Sequence, residues 1–139
     1  MAYEIGKDWR VYVGDGAGTE VFSALGGEGS FEMQRASDDI DLTTKDDATY
    51  KNGTYGLQQI TFSVSGKVKL PDTALTRIDT VAKSGTPEVN IQIKKGSTIK
   101  FLGRVAVGNF STSFPSDGPA TYSFSARNVG APTTDNLGA

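Results

Sequence analysis

Apolar and polar residues alternate along most of this 139-residue chain, and that period of two limits its fold more than any other feature. Successive side chains of a strand point to opposite faces, so the pattern asks for half-buried β-strands rather than a helical bundle. The clearest run covers residues 57–70, where Ile60, Phe62 and Val64 share one parity and Gln59, Thr61, Ser63 and Ser65 the other. Trp9, Val11 and Val13 alternate with Arg10 and Tyr12, and Val89, Ile91 and Ile93 with Asn90, Gln92 and Lys94. Residues 20–25, a short run through Phe31, Met33 and Arg35, and residues 98–114 and 120–129 supply the remaining predicted strands. In 98–114, Phe101, Val105 and Val107 oppose Leu102, Ala106 and Phe110, and Gly103 and Gly108 are expected to mark bulges or bends.

One segment departs from this period. Leu75, Ile78, Val81 and Ala82 recur at helical spacing behind Asp72, a good N-cap residue, and ahead of Gly85, a good C′ stop. The spacing predicts a helix over about 72–84 with one apolar face. The expected fold is therefore mainly β, a β-sandwich or partial barrel of antiparallel strands with one packed α-helix. Ile60, Phe62, Val64, Leu75, Ile78, Val89, Ile91 and Phe124 are its expected core. Residues 1–129 read as one β domain, and 130–139, small, polar and Pro-containing, as a flexible C-terminal arm.

Composition removes much chemistry. With no His and no Cys there is no Ser-His-Asp or Cys-His pair, no thiol redox centre, no ordinary zinc site and no disulfide framework. The expectation is a non-enzyme with no catalytic residues, no cofactor and no metal. The first eight residues lack a basic and an apolar region of the secretory kind, and no apolar run reaches the roughly 18 residues of a membrane span. A soluble protein made in the cytoplasm, with no membrane partner, is expected. Residues 1–66 carry 11 acids and 5 bases, whereas 67–127 carry 4 acids and 9 bases. The asymmetry suits either an acidic and a basic face or a scatter of solvated charge. The bases are too dispersed for a nucleic-acid patch.

Residues 37–56 form a long loop in this reading, rich in Asp, Thr, Asn and Gly and poor in apolar residues. Loops of that length inside a domain are usually functional or disordered. Its aspartates lack the central Gly and closing Glu of a calcium loop, and a solvated acidic loop is the default. Gly14, Gly16 and Gly18 lack the Gly-Lys-Ser/Thr ending of a phosphate loop and precede a strand, so they read as a hairpin turn. A single Trp leaves little to build a sugar-binding cleft, and the sequons at Asn52 and Asn109 lack a secretory context.

Residues 35–46 read Arg-Ala-Ser-Asp-Asp-Ile-Asp-Leu-Thr-Thr-Lys-Asp. This segment resembles the acidic-acidic-Ile-Asp-Val-Thr-Thr stretch that precedes a long loop in the tail tube (major tail) proteins of long-tailed, siphovirus-like bacteriophages, with Leu42 where Val is common. Tyr55-Gly56 and the strand ending Thr-Phe-Ser-Val-Ser-Gly66 are similar to that family's next strand, and the order of elements agrees over nearly the whole chain. The resemblance implies a structural virion protein with a tail-tube-like fold. Its subunits would form homo-hexameric rings that stack into the tail tube, the conduit for DNA delivery. It further implies tape-measure, tail-terminator and tail-tip proteins as partners, DNA passing through the lumen without specific binding, and a place in the virion tail after assembly in the bacterial host cytoplasm. By the same resemblance Asp38, Asp39, Ile40, Asp41, Thr43 and Thr44 would start the loop that binds the neighbouring ring. Lys45, Asp46, Asp47, Tyr50, Asn52 and Tyr55 are further candidates along it. A tube protein of a contractile tail or secretion-like apparatus, or a β-sandwich binding module, is the alternative reading.

Overall fold

The computed structural model describes residues 3–138. After a short 3₁₀ turn at Gly6–Asp8 come strands β1 (Trp9–Gly14), β2 (Phe22–Ala24), β3 (Glu28–Asp41) and β4 (Gly53–Lys67). Helix α1 (Thr73–Lys83) follows, then β5 (Glu88–Lys95), β6 (Thr98–Ser113), β7 (Thr121–Asn128) and β8 (Thr134–Asp135). All eight strands belong to one antiparallel sheet in the order β2-β1-β5-β6-β7-β4-β3, with β8 also on β6. The fold is mainly β with one packed helix, as the alternation requires.

The eight expected core residues are all buried, together with Val11, Val13, Leu25, Phe101, Val105, Val107 and Tyr122 among others. α1 lies on this apolar face against β1, β2, β5 and β6 and buries Ala74, Leu75, Ile78 and Val81. Asp72 caps it, its Oδ1 accepting from the Leu75 N–H at 3.2 Å. The expected glycine stop is absent. Ser84 is the C-cap and its N–H and hydroxyl both donate to the Val81 carbonyl, while Gly85 is outside the left-handed region that such a stop needs.

Two glycines in β6 have different tasks. At Gly108 the pairing with β7 slips, Asn109 takes φ 55°, and the extra residue turns Phe110 to the core side, where it stacks on Phe124 at 6.5 Å. Parity therefore changes within one strand. Gly103 stays in regular register opposite Ile91, and a Cβ there would press on the Phe101 ring at 3.1 Å and on Pro132 at 3.3 Å. It is a close-approach glycine, not a bulge.

The fold departs from expectation in two places. Residues 37–41 and 53–56 are not loop but the outer parts of β3 and β4, paired from Asp39↔Tyr55 to Asp41↔Gly53, so the connecting loop is 42–52. Residues 130–138 are not a free arm: Thr133 and Asn136 donate backbone hydrogen bonds to Leu102 and Lys100, and Asp135 pairs with Arg35. The reason is common to both. Backbone groups beside an open strand edge gain partners there whatever their side chains.

The sheet curls until its two flanks approach. The 25–27 connection and the first residue of β3 fasten the seam. Arg10 donates to the Leu25 carbonyl, Glu28 accepts from the Val11 N–H at 3.2 Å, and Asp72 Oδ2 accepts from the Gly26 N–H at 3.0 Å. Burial raises the Glu28 pKa, against the opposing pull of the Val11 N–H and Arg10. Burial also pushes the Tyr122 phenol up to about 12, with the charges of Glu28 and Asp72 adding to it.

Candidate functional site

Three surfaces emerge from this architecture. The first is a protruding β-ribbon. β7 covers β4 only from Thr61 onward, so residues 53–59 with their β3 partners extend beyond the body by roughly 23 Å at ~3.3 Å per residue. An extra residue in β4 between Ser37↔Gln58 and Asp39↔Tyr55 shifts the ribbon's register.

Every predicted loop residue lies on this ribbon. Asp38, Asp39, Ile40 and Asp41 are on β3, Tyr55 is on β4, and Thr43, Thr44, Lys45, Asp46, Asp47, Tyr50 and Asn52 are in the connection. The tip is tied by its own hydrogen bonds. Thr43 Oγ1 donates to the Asn52 carbonyl at 3.0 Å and accepts from the Asn52 N–H at 2.8 Å. Thr43 N–H donates to Asp41 Oδ1 at 2.9 Å, which holds that carboxyl below its usual range, and Thr44 N–H donates to Asp47 Oδ2 at 2.9 Å. The Thr-Thr and Asp residues thus shape a turn, which is ordinary chemistry for Asx and Ser/Thr turns. The sequence reading missed Leu42 and Leu57. Both are exposed, Leu57 to 81%, and with Tyr50 at 85% and Tyr55 at 73% they make the ribbon apolar as well as acidic. Leu57 sits at the register shift, so alternation alone misplaces it.

The second surface is the sheet face opposite α1. Cross-strand pairing aligns Ser111, Ser123, Ser65 and Ser30 in one row, and Gly108, Ser125, Ser63 and Glu32 in the next. Ser30 and Ser65 hydroxyls meet at 3.2 Å. Arg127 and Thr61 pair in the row beside them. The face is concave, with a hollow of about 460 Å³ over Ser63, Ser125, Gly108 and Arg127. The serine rows make it a hydroxyl surface, bordered by Glu32, Lys67, Arg104 and Arg127, and it offers no nucleophile–base pair. Among the described residues no group of three or more acidic side chains is placed to hold a metal.

The third surface is the pair of sheet edges, which are unequal. β2 contributes 3 residues and β3 contributes 14, and each pairs on one side only. The sequence halves do not become two opposite faces. First-half strands occupy both flanks and second-half strands the middle, so the acids gather at the edges and on the ribbon. Residues 37–56 alone hold five Asp against two Lys.

Among solved structures, the chain is similar to the tail of an empty gene transfer agent particle refined with C6 symmetry, with a TM-score of 0.78, 17% identity, and 95% of this chain and 98% of that one covered. It is also similar to the SPP1 tail tube, with a TM-score of 0.72, 14% identity, and coverage of 97% and 83%. A chain of the anti-feeding prophage baseplate matches with a TM-score of 0.70 at 8% identity, covering 100% and 99%. No curated protein sequence matches. The family model described as phage tail tube protein matches residues 4–134. On that match over nearly the whole chain, this is a member of the phage tail tube protein family: a structural component of the virion tail and not an enzyme.

Proposed function

We propose that this chain closes into six-membered rings and that the rings stack into a tail tube whose lumen DNA crosses without specific binding. The ribbon at 37–56 binds the adjacent ring. What supports the reading most is the ribbon itself: a projection of roughly 23 Å with exposed Leu57, Tyr50 and Tyr55 does nothing for the isolated subunit. The unequal edges fit a head-to-tail contact that closes by rotation, and closure would remove the open edge of β3. The hydroxyl rows suit the lumen, because they hold no Lys or Arg of their own to grip DNA phosphates. Tape-measure, tail-terminator and tail-tip proteins are the partners that such a tube needs.

The test is negative-stain microscopy of the concentrated protein and of a variant with residues 46–53 replaced by a two-residue turn. The parent should form annuli and tubes. The variant should keep its far-UV spectrum and thermal midpoint but form no tubes. Long tubes from the shortened protein would refute the ribbon's role, and loss of folding would assign the segment to the core.

A further inference from the structure

The body end opposite the ribbon carries a second set of exposed apolar side chains. β4 runs from the ribbon down to Lys67, which pairs with Thr121, the partner of Ser113 at the end of β6. Val68 N–H donates to the Ala120 carbonyl at 2.9 Å and holds the next segment on the same rim. Beyond these anchors Leu70 is 79% exposed and Phe114 75%, with Pro71 and Pro115 beside them also exposed. Lys67 and Lys69 stand on this rim, both exposed, and Asp117 is the acid of the neighbouring loop. Next to it the hydroxyl face opens into a hollow of about 370 Å³ lined by Ser65, Lys67, Ser113 and Thr121.

We propose that the rim formed by Lys67, Lys69, Leu70 and Phe114 is the seat of the ribbon tip of a second copy of this chain. The inference rests on the stacking reading above and names its receiving surface. In a polar stack of identical subunits, the surface that meets a projection from one end lies at the other end of the same chain. The charges and apolar groups also match. The ribbon segment 37–56 is net −3, and the rim sets Lys67 and Lys69 beside exposed Leu70 and Phe114, as the ribbon sets its acids beside Leu42 and Tyr50. Aromatic and Leu contacts would form the dry centre, with Asp46 and Asp47 against Lys67 and Lys69 at the margin.

The absence of native Cys makes the contact directly testable. One full-length protein carries Tyr50→Cys or Leu42→Cys, another Leu70→Cys or Phe114→Cys. The two are mixed, concentrated and mildly oxidised. Mixed disulfide dimers should appear on non-reducing gels wherever microscopy shows tubes. A second arm reverses charge: Lys67→Glu with Lys69→Glu should raise the protein concentration needed for tubes about tenfold, and adding Asp46→Lys with Asp47→Lys should recover most of it. An unchanged thermal midpoint identifies these variants as folded. Tubes without any mixed disulfide, or charge reversal without effect on assembly, overturn this seat while leaving ring stacking standing. A parent protein that forms neither rings nor tubes overturns both.

Discussion

Replacing Asp72 separates two roles that one carboxylate performs at once. Asp72 is 8% exposed, and its two oxygens accept from different elements: Oδ1 from Leu75 in the first turn of α1, Oδ2 from Gly26 in the β2–β3 connection. The cap is worth about 1 kcal/mol. The bond from the part-buried Gly26 N–H to a charged acceptor is worth roughly 1.5–3 kcal/mol. Asp72→Ala loses both and should destabilise by about 2.5–4 kcal/mol, within the usual margin of about 5–15 kcal/mol for a domain. Asp72→Asn keeps one acceptor oxygen and turns an NH₂ toward the other donor, so about half of that loss should remain. Urea denaturation followed by far-UV circular dichroism measures both, with equal slopes as the check that the unfolded states are comparable. An Asn variant within about 0.5 kcal/mol of the parent would show that the Gly26 bond contributes nothing. An Ala variant losing less than about 1 kcal/mol would refute the bridge altogether.

Two further outcomes follow from the same core and seam. Ile78 is fully buried, and Ile78→Ala removes three buried carbons, about 2.4 kcal/mol in transfer alone and about 3–4 with the cavity; a loss below about 0.5 kcal/mol in denaturation would make the helix peripheral. Glu28 has a folded pKa raised above its ordinary 4.5, so the folded state holds its proton longer than the unfolded chain does. Its contribution is full below that value and declines as pH rises through the raised one, and Glu28→Gln should flatten this part of the stability–pH curve. A slope unchanged in the variant would remove Glu28 as its source.

The strands and helix were legible because each carries its own period: Ile60, Phe62 and Val64 at two, Leu75, Ile78 and Val81 near 3.6. What the sequence hid was decided by partners far along the chain. Asp72 could be read as a cap, yet its bond to Gly26 spans 46 positions. Residues 37–41 look like loop because none of them reaches the core; their strand is held by backbone pairing to 53–58, which side-chain patterning does not report. The same holds for Asp135, set on β6 and paired with Arg35 100 positions away. For the candidate site, the acidic Thr-Thr segment was visible, whereas the exposed Leu57 needed the register shift to place it.

If the hydroxyl face lines the lumen, it would hold a polyanion less tightly than a simple count of its charges suggests. Its serines come from β3, β4, β6 and β7, and only antiparallel register places Ser30, Ser65, Ser123 and Ser111 side by side. Two of the charges on this face, Glu32 and Arg127, are each met by an amide. Gln34 donates to Glu32 at 3.2 Å, and Gln59, with its amide oxygen turned inward, accepts from Arg127 at 2.8 Å. An arginine already held by an acceptor must give up that bond to grip a phosphate, so its net gain from DNA is reduced. Along the serine rows, sliding would displace water rather than condensed counterions, and the salt dependence that marks tight DNA binding should be weak there. Gln59→Ala would free Arg127 on this face. If the face lines the lumen, tubes of that variant should retain DNA more strongly at low salt than at high salt. Equal retention by parent and variant at every salt concentration would place the hydroxyl rows away from the DNA path.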